Sequence, residues 1–136
     1  MNRPARVLIA DDEANILISL EYLMKREGFE VSVARDGLAA LAEVARQRPD
    51  LILLDVMMPG KTGFEVCQDL RADPANAALR IVMLTARGRE TDVAKGLALG
   101  ADAYLTKPFS TRDLVRLVRE LLAATTIGDP DATTAG

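Results

Sequence analysis

The run Leu51-Ile52-Leu53-Leu54, closed by Asp55, constrains the fold of this chain more than any other feature. Successive side chains of a strand point to opposite faces, so four apolar residues in a row need cover on both sides. That is the environment of a central strand in a parallel sheet. Ile81-Val82-Met83-Leu84, leading to Thr85, has the same character, and Val7-Leu8-Ile9-Ala10 repeats it ahead of Asp11 and Asp12. Two weaker runs complete the set. Residues 30–34 alternate and belong nearer a sheet edge, and residues 102–106 precede Lys107 and Pro108.

Longer stretches of helical period separate these runs. Residues 14–27 carry Leu17, Leu20 and Met24 at helical spacing and stop at Gly28. Leu38, Leu41, Ala42 and Ala45 form a second apolar stripe, closed by Pro49. Residues 63–71 make a shorter helix ending near the Asp73-Pro74 turn, and residues 92–99 run to a stop at Gly100. The last helix, residues 111–122, places Leu114, Leu117, Val118 and Leu121 on one face. Ser110 is its expected N-cap, with Asp113 in the capping-box position. Strands alternating with helices at this spacing make βαβ units, a parallel sheet and helices on both its faces. The expected class is α/β. A length of 136 residues suits one domain, residues 1–124, followed by a small polar segment, 125–136, expected to be a flexible tail or linker remnant.

Composition narrows the function. With 49% apolar and 27% charged residues the chain has the balance of a folded domain, not a disordered one. A net charge of −3 argues against nucleic acid as the direct partner. No run approaches the roughly 18 apolar residues of a membrane helix, and the opening MNRPARVLIADD has no small-residue cleavage site. Neither a membrane span nor a secretory leader is expected. The single cysteine, Cys67, permits no intrachain disulfide and fits a cytoplasmic location. Histidine is absent altogether, which excludes histidine catalysis, histidine metal ligation and a role as phosphohistidine donor.

In open α/β sheets, ligands bind at the carboxyl ends of the strands. The reactive side chains of this sequence gather there: Asp11 and Asp12 after the first strand, Asp55 after the third, Thr85 after the fourth, Lys107 after the fifth. Three carboxylates brought together repel, so one must protonate or a cation must neutralise them. A hard oxygen-loving ion that keeps several waters, Mg²⁺, suits such a set. Asp55 can then act as a carboxylate nucleophile toward phosphorus, with Lys107 and the Thr85 hydroxyl on the phosphoryl oxygens. Taken singly, each residue has a plainer use. Asp11 and Asp12 suit a helix cap and first-turn acid, Asp55 a turn, Thr85 a cap, and Lys107 a solvated loop. Their convergence on one end of the sheet favours a site. Met58 and Met83 are expected as packing, Gly60 and Gly63 as loop geometry, and Cys67 as a small buried hydrophobe. Arg112, Arg116 and Arg119 are expected on the solvated side of the last helix, with a partner surface as the lesser reading.

Residues 7–12, 51–60 (LILLDVMMPG), 82–86 (VMLTA) and 100–109 (GADAYLTKPF) resemble the receiver domains of two-component response regulators, of the chemotaxis-regulator kind. The likeness runs from about residue 5 to residue 122. It implies a flavodoxin-like, doubly wound (βα)5 fold with a five-stranded parallel sheet in the order 2-1-3-4-5. It also implies residue roles: Asp55 as phosphoacceptor, and Mg²⁺ bound by Asp12 directly, by Asp11 mainly through water, and by Asp55 and the Met57 backbone carbonyl. Thr85 and Lys107 would hold the phosphoryl group, Thr85 and Tyr104 would form the switch, and the Lys107–Pro108 bond would be cis. The implied donor is a histidine kinase or histidine phosphotransfer protein. The implied reader is a downstream protein or output domain on the surface of the fourth helix, fifth strand and fifth helix. Such a module supports its own phosphorylation and slow dephosphorylation rather than turning over a separate substrate; Met57 and Arg87 flank the site without a group suited to orient water. In the transcription-factor branch an acid pair follows Gly-Ala, whereas this chain has Asp102 then Ala103, which puts that branch's dimer in doubt.

Three other readings compete. A Mg²⁺-dependent phosphohydrolase with an aspartyl nucleophile needs a second acid near it and a cap, where this chain has Met57 and no long loop. A flavodoxin-like cofactor binder needs hydroxyl-rich phosphate loops, where this chain has Asp11-Asp12-Glu13. A degenerate receiver would have lost a key position, and none is lost.

Overall fold

The computed structural model describes residues 3–86 and 90–127, with the backbone alone for 124–127. Strands β1 (Arg6–Ala10), β2 (Glu30–Ala34), β3 (Leu51–Asp55), β4 (Arg80–Ala86) and β5 (Ala103–Lys107) alternate with helices α1 (Ala14–Arg26), α2 (Gly37–Arg46), α3 (Gly63–Ala72), α4 (Glu90–Ala98) and α5 (Thr111–Ile127). A 3₁₀ turn, Pro74–Asn76, joins α3 to β4. Every strand pairing is parallel, in the order β2-β1-β3-β4-β5. This is the flavodoxin-like doubly wound arrangement, with the alternating β2 at an edge. No helix among the described residues is long and apolar enough to cross a membrane.

The two-residue period of the strands divides the core in two. Val7 and Ile9, Leu51 and Leu53, and Val82 and Leu84 face α1 and α5, where they meet Leu17, Leu20, Met24, Leu114 and Val118. Leu8 and Ala10, Ile52 and Leu54, and Ile81 and Met83 face the other way, against Val44 of α2, Phe64, Val66 and Leu70 of α3, and Leu99 beyond α4. Every residue of β3 is buried, as its unbroken apolar run requires. Met58, Met83 and Cys67 are buried packing residues. Burial chiefly pushes the Cys67 thiol pKa up, which keeps it unreactive.

Two expectations about helices need correction. On α2 the buried face is Gly37, Ala40 and Val44 with Leu41 partly covered, whereas Leu38 is 64% exposed and Ala42 and Ala45 face solvent. A helix of many small apolar residues has no dominant stripe, so tertiary contact chooses the face: Gly37 sits where a Cβ would meet the Lys61 backbone oxygen at 2.5 Å. The last helix reaches Ile127, five residues beyond the expected 122, and so includes the first residues of the segment expected to be a tail. Residues 128–136 lie outside the described residues.

Local capping explains where the helices start. Ser110 Oγ accepts from the Asp113 N–H at 3.0 Å, as its sequence position predicts. The reciprocal capping box, however, occurs on α3: Thr62 Oγ1 accepts from Glu65 N–H at 3.2 Å, and Glu65 Oε1 accepts from Thr62 N–H at 2.8 Å. It locks the helix that follows the β3 loop. Gly63, the first residue of that helix, donates its N–H to the Val56 carbonyl at 2.9 Å, and a Cβ there would lie 2.3 Å from the Asp55 carbonyl oxygen. A methyl group cannot be accommodated without moving the backbone that carries Asp55. Gly63→Ala should therefore lose about 1–3 kcal/mol of stability, the usual range for overpacking. Urea unfolding of the two proteins checks this, and a change within error would show that the loop yields freely.

Candidate functional site

Parallel strands present their carboxyl ends together, and here those ends carry the charges. Asp11 follows β1 and is fully buried, Asp55 ends β3 and is 5% exposed, and Lys107 ends β5. The Lys107 ammonium donates to Asp11 Oδ2 at 2.9 Å and lies 3.4 Å from Asp55 Oδ1 and 3.4 Å from Glu13 Oε1. Strands in a sheet are spaced about 4.8 Å apart, so the ammonium must span roughly two strand widths from β5 to β3. A long, flexible side chain is required, and lysine supplies it. The Lys107–Pro108 peptide is cis, as expected.

The backbone holds the two acids in place. Asp11 Oδ1 accepts from the Glu13 N–H at 2.9 Å, an Asx-type turn leading into α1. Asp55 Oδ1 accepts from the Met57 N–H at 3.3 Å, so the chain curls back over the carboxylate. The Met57 side chain itself is 58% exposed. Asp12 is exposed at the pocket mouth, and carboxylate oxygens of Asp11, Asp12 and Asp55 all lie within 4.8 Å of one another.

Electrostatics follow from that crowding. Burial first, and then the Asp11 charge, push the Asp55 pKa from an ordinary 3.8 up to about 7, against the lowering influence of Lys107 and the Met57 N–H. Burial pulls the Lys107 ammonium down, but the Asp11 hydrogen bond and the charges of Asp55, Asp11 and Glu13 outweigh it and raise its pKa. The lysine thus stays protonated. Asp55 stands between two protonation states, the condition of a buried carboxylate short of positive charge.

Thr85 sits within β4, 1% exposed, and its hydroxyl finds no hydrogen-bond partner among the described residues. A buried unpaired hydroxyl costs about 1–3 kcal/mol, so the position calls for a polar ligand. Thr85 shares a sheet face with Met83, and Tyr104 stands opposite Met83 in the β4–β5 register. The threonine and the tyrosine are therefore diagonal neighbours on the α4 side. Tyr104 is 44% exposed. Arg87 lies outside the described residues.

The architecture has close parallels. Residues 7–119 match the family of the response regulator receiver domain. This chain belongs to the response regulator receiver domains. Among relatives, the sensory transduction protein RegX3 of Mycobacterium tuberculosis is 47% identical over 116 residues, covering 85% of this chain and 50% of RegX3. The chain thus spans about half the length of the curated relatives it matches. Among solved structures, Vibrio cholerae chemotaxis protein CheY4 is 34% identical with a TM-score of 0.82, over 87% of this chain and 98% of CheY4. A CheY-like receiver domain protein of Methanospirillum hungatei is 30% identical with a TM-score of 0.83, over 90% and 97% of the two chains.

All-oxygen donors, two of them buried, together with a carboxyl group left partly protonated, are what a hard divalent cation would relieve in this receiver. The residues present therefore fit Mg²⁺. Glu13 is the participant that the sequence did not single out. Its acidic side chain continues the Asp11-Asp12 run, and that continuity was the available signal.

The raised Asp55 pKa has a consequence for stability. The folded receiver keeps this proton to higher pH than the unfolded chain does. Its contribution to stability is complete below about 4 and is lost as pH rises to about 7. Asp55→Asn cannot ionise and escapes the loss. In the presence of a chelator, the variant should gain on the order of 1–2 kcal/mol over the wild type between pH 4 and pH 8, water at the pocket mouth screening the rest. Urea midpoints measured across that range test this, and a constant difference would refute it.

Proposed function

We propose that this receiver is a phosphoacceptor switch of a two-component or phosphorelay system, and that Asp55 takes the phosphoryl group. The observation that carries the proposal is a carboxylate at the end of β3 with an ammonium 3.4 Å from its Oδ1 and, on the adjacent strand, a buried hydroxyl with no partner among the described residues. An Asp55 carboxylate oxygen attacks the phosphorus of a phosphohistidine on a histidine kinase or histidine phosphotransfer protein. The new P–O bond forms as the P–N bond breaks, and its electron pair returns to the imidazole. Lys107 takes up one phosphoryl oxygen and the Thr85 hydroxyl donates to another. Asp12, Asp55 and the Met57 backbone carbonyl would hold Mg²⁺, with Asp11 acting mainly through water, and the ion would supply charge neutralisation to the phosphoryl group. The working module is residues 1–124 together with the end of α5, acting in the cytoplasm without direct nucleic-acid or membrane contact. Self-hydrolysis is slow, because Met57 carries no carboxylate or amide to orient a water.

With a small phosphodonor and Mg²⁺, the wild type should gain one acid-stable, base-labile phosphoryl group and Asp55→Asn none, as read by intact mass. Asp12→Asn should weaken Mg²⁺ binding by removing a directly coordinating charge. Met57→Asn should shorten the lifetime of the label. Equal labelling of Asp55→Asn would reject the assignment.

The signal passes from Thr85 to Tyr104. Once the phosphoryl group draws the Thr85 hydroxyl, the space it leaves admits the Tyr104 ring, altering the α4–β5–α5 surface that carries Lys95 and Arg116 and that a partner or output domain reads. A coupling of about 1–3 kcal/mol would change partner affinity on the order of 5–150-fold. Thr85→Ala should accept phosphate more slowly and transmit little of it. NMR shifts at residues 90–116 with beryllofluoride decide the matter. Identical responses in the wild type and Thr85→Ala would exclude this route.

A further inference from the structure

Glu13 is the N-cap residue of α1, yet its side chain makes no capping hydrogen bond. Cap positions favour Ser, Thr, Asp and Asn, whose short side chains reach back to the free N–H groups of the first turn. Glutamate is longer, and here its Oε1 lies 3.4 Å from Lys107 Nζ instead of on a first-turn N–H. The ammonium is thus shared among three acids: Asp11 at 2.9 Å, Glu13 at 3.4 Å and Asp55 at 3.4 Å. They differ in how easily they release it. The Asp11 side chain is fully buried and that of Asp55 is 8% exposed, so either would be left as a poorly solvated charge. Glu13 is 61% exposed and is rehydrated as soon as the lysine leaves.

We propose that Glu13 is a positioning residue for phosphoryl transfer to Asp55, holding the Lys107 ammonium on the α1 side of the pocket and releasing it when the phosphoryl group arrives. The inference rests on Asp55 being the phosphoacceptor. A phosphoryl group brings a charge of about −1.5 to −2 and three acceptor oxygens, and Lys107 is the cation already at Asp55. The Glu13 contact exists before transfer and is given up during it, so it opposes phosphorylation. An exposed ion pair of this kind opposes it by up to about fivefold.

The test uses the whole chain with acetyl phosphate and Mg²⁺, comparing Glu13→Gln, Lys107→Ala and the double variant with the wild type. Glu13→Gln should label up to about fivefold faster than the wild type. It should also shift the Lys107 side-chain carbon signal next to Nζ before any phosphate is added, which a helix-capping role alone would not do. In the Lys107→Ala background the gain should vanish. An equal gain in both backgrounds would mean that the lost charge merely eases approach of the donor, and would overturn the proposal. So would an unmoved Lys107 signal, or unchanged labelling of Glu13→Gln beside normal labelling of the wild type. A wild type that takes no label on Asp55 would instead remove the phosphoacceptor reading, and this inference with it.

Discussion

Asp11 and Asp55 are two buried carboxylates that repel each other, and the Lys107 ammonium lies between them. Much of the architecture serves to keep those three groups together. The parallel sheet brings the carboxyl ends of β1, β3 and β5 to one side. The apolar runs of β1 and β3, buried on both faces, make those ends rigid. Turns that return N–H groups to the acids, from Glu13 to Asp11 and from Met57 to Asp55, fix the orientation of each carboxylate. One ammonium does not neutralise the cluster, and burial first and then the Asp11 charge hold the Asp55 pKa up. A buried carboxylate held this way favours further positive charge beside it.

The opposite end of the sheet is held by a different device. Arg71, at the end of α3, donates to the Gly100 and Asn76 carbonyls and to Asp102 Oδ2, each at 2.9 Å, and Asp102 Oδ2 also accepts from the Ile81 N–H at 2.8 Å. These bonds tie the turn between α4 and β5 to the rigid centre of the molecule. Thr85 and Lys107 lie toward one end of β4 and β5 and this anchor lies at the other. The Thr85 hydroxyl is buried and has no partner among the described residues, so a ligand oxygen that reached it would relieve the cost of leaving it unpaired.

Much of this was legible in the residues themselves. Four apolar side chains in a row can be buried only between two layers of helix, so β3 and β4 declare a doubly covered parallel sheet without any tertiary knowledge. From a parallel sheet it follows that Asp11, Asp55, Thr85 and Lys107, each at or next to the end of its run, share one rim. The α2 face was not legible, because hydrophobicity favours burying Leu38, which is exposed, over Gly37 and Ala40, which are buried. Packing against the Lys61 segment decided between them.

The sequence by itself determined the strand order of chemistry: which residue types stand at which strand ends, and that an acidic, lysine-bearing pocket without histidine would form there. Local periodicity and backbone geometry are enough for that. Only the tertiary structure decided which acids share the ammonium and which side chains lack a partner. Glu13 and Lys107 are separated by 94 positions, and nothing local makes a glutamate at a helix start meet a distant lysine. That the Thr85 hydroxyl is unpaired among the described residues likewise depends on how the strands around it pack. Pairing and isolation of polar groups are properties of the packed interior, set by distances that close only when the sheet does.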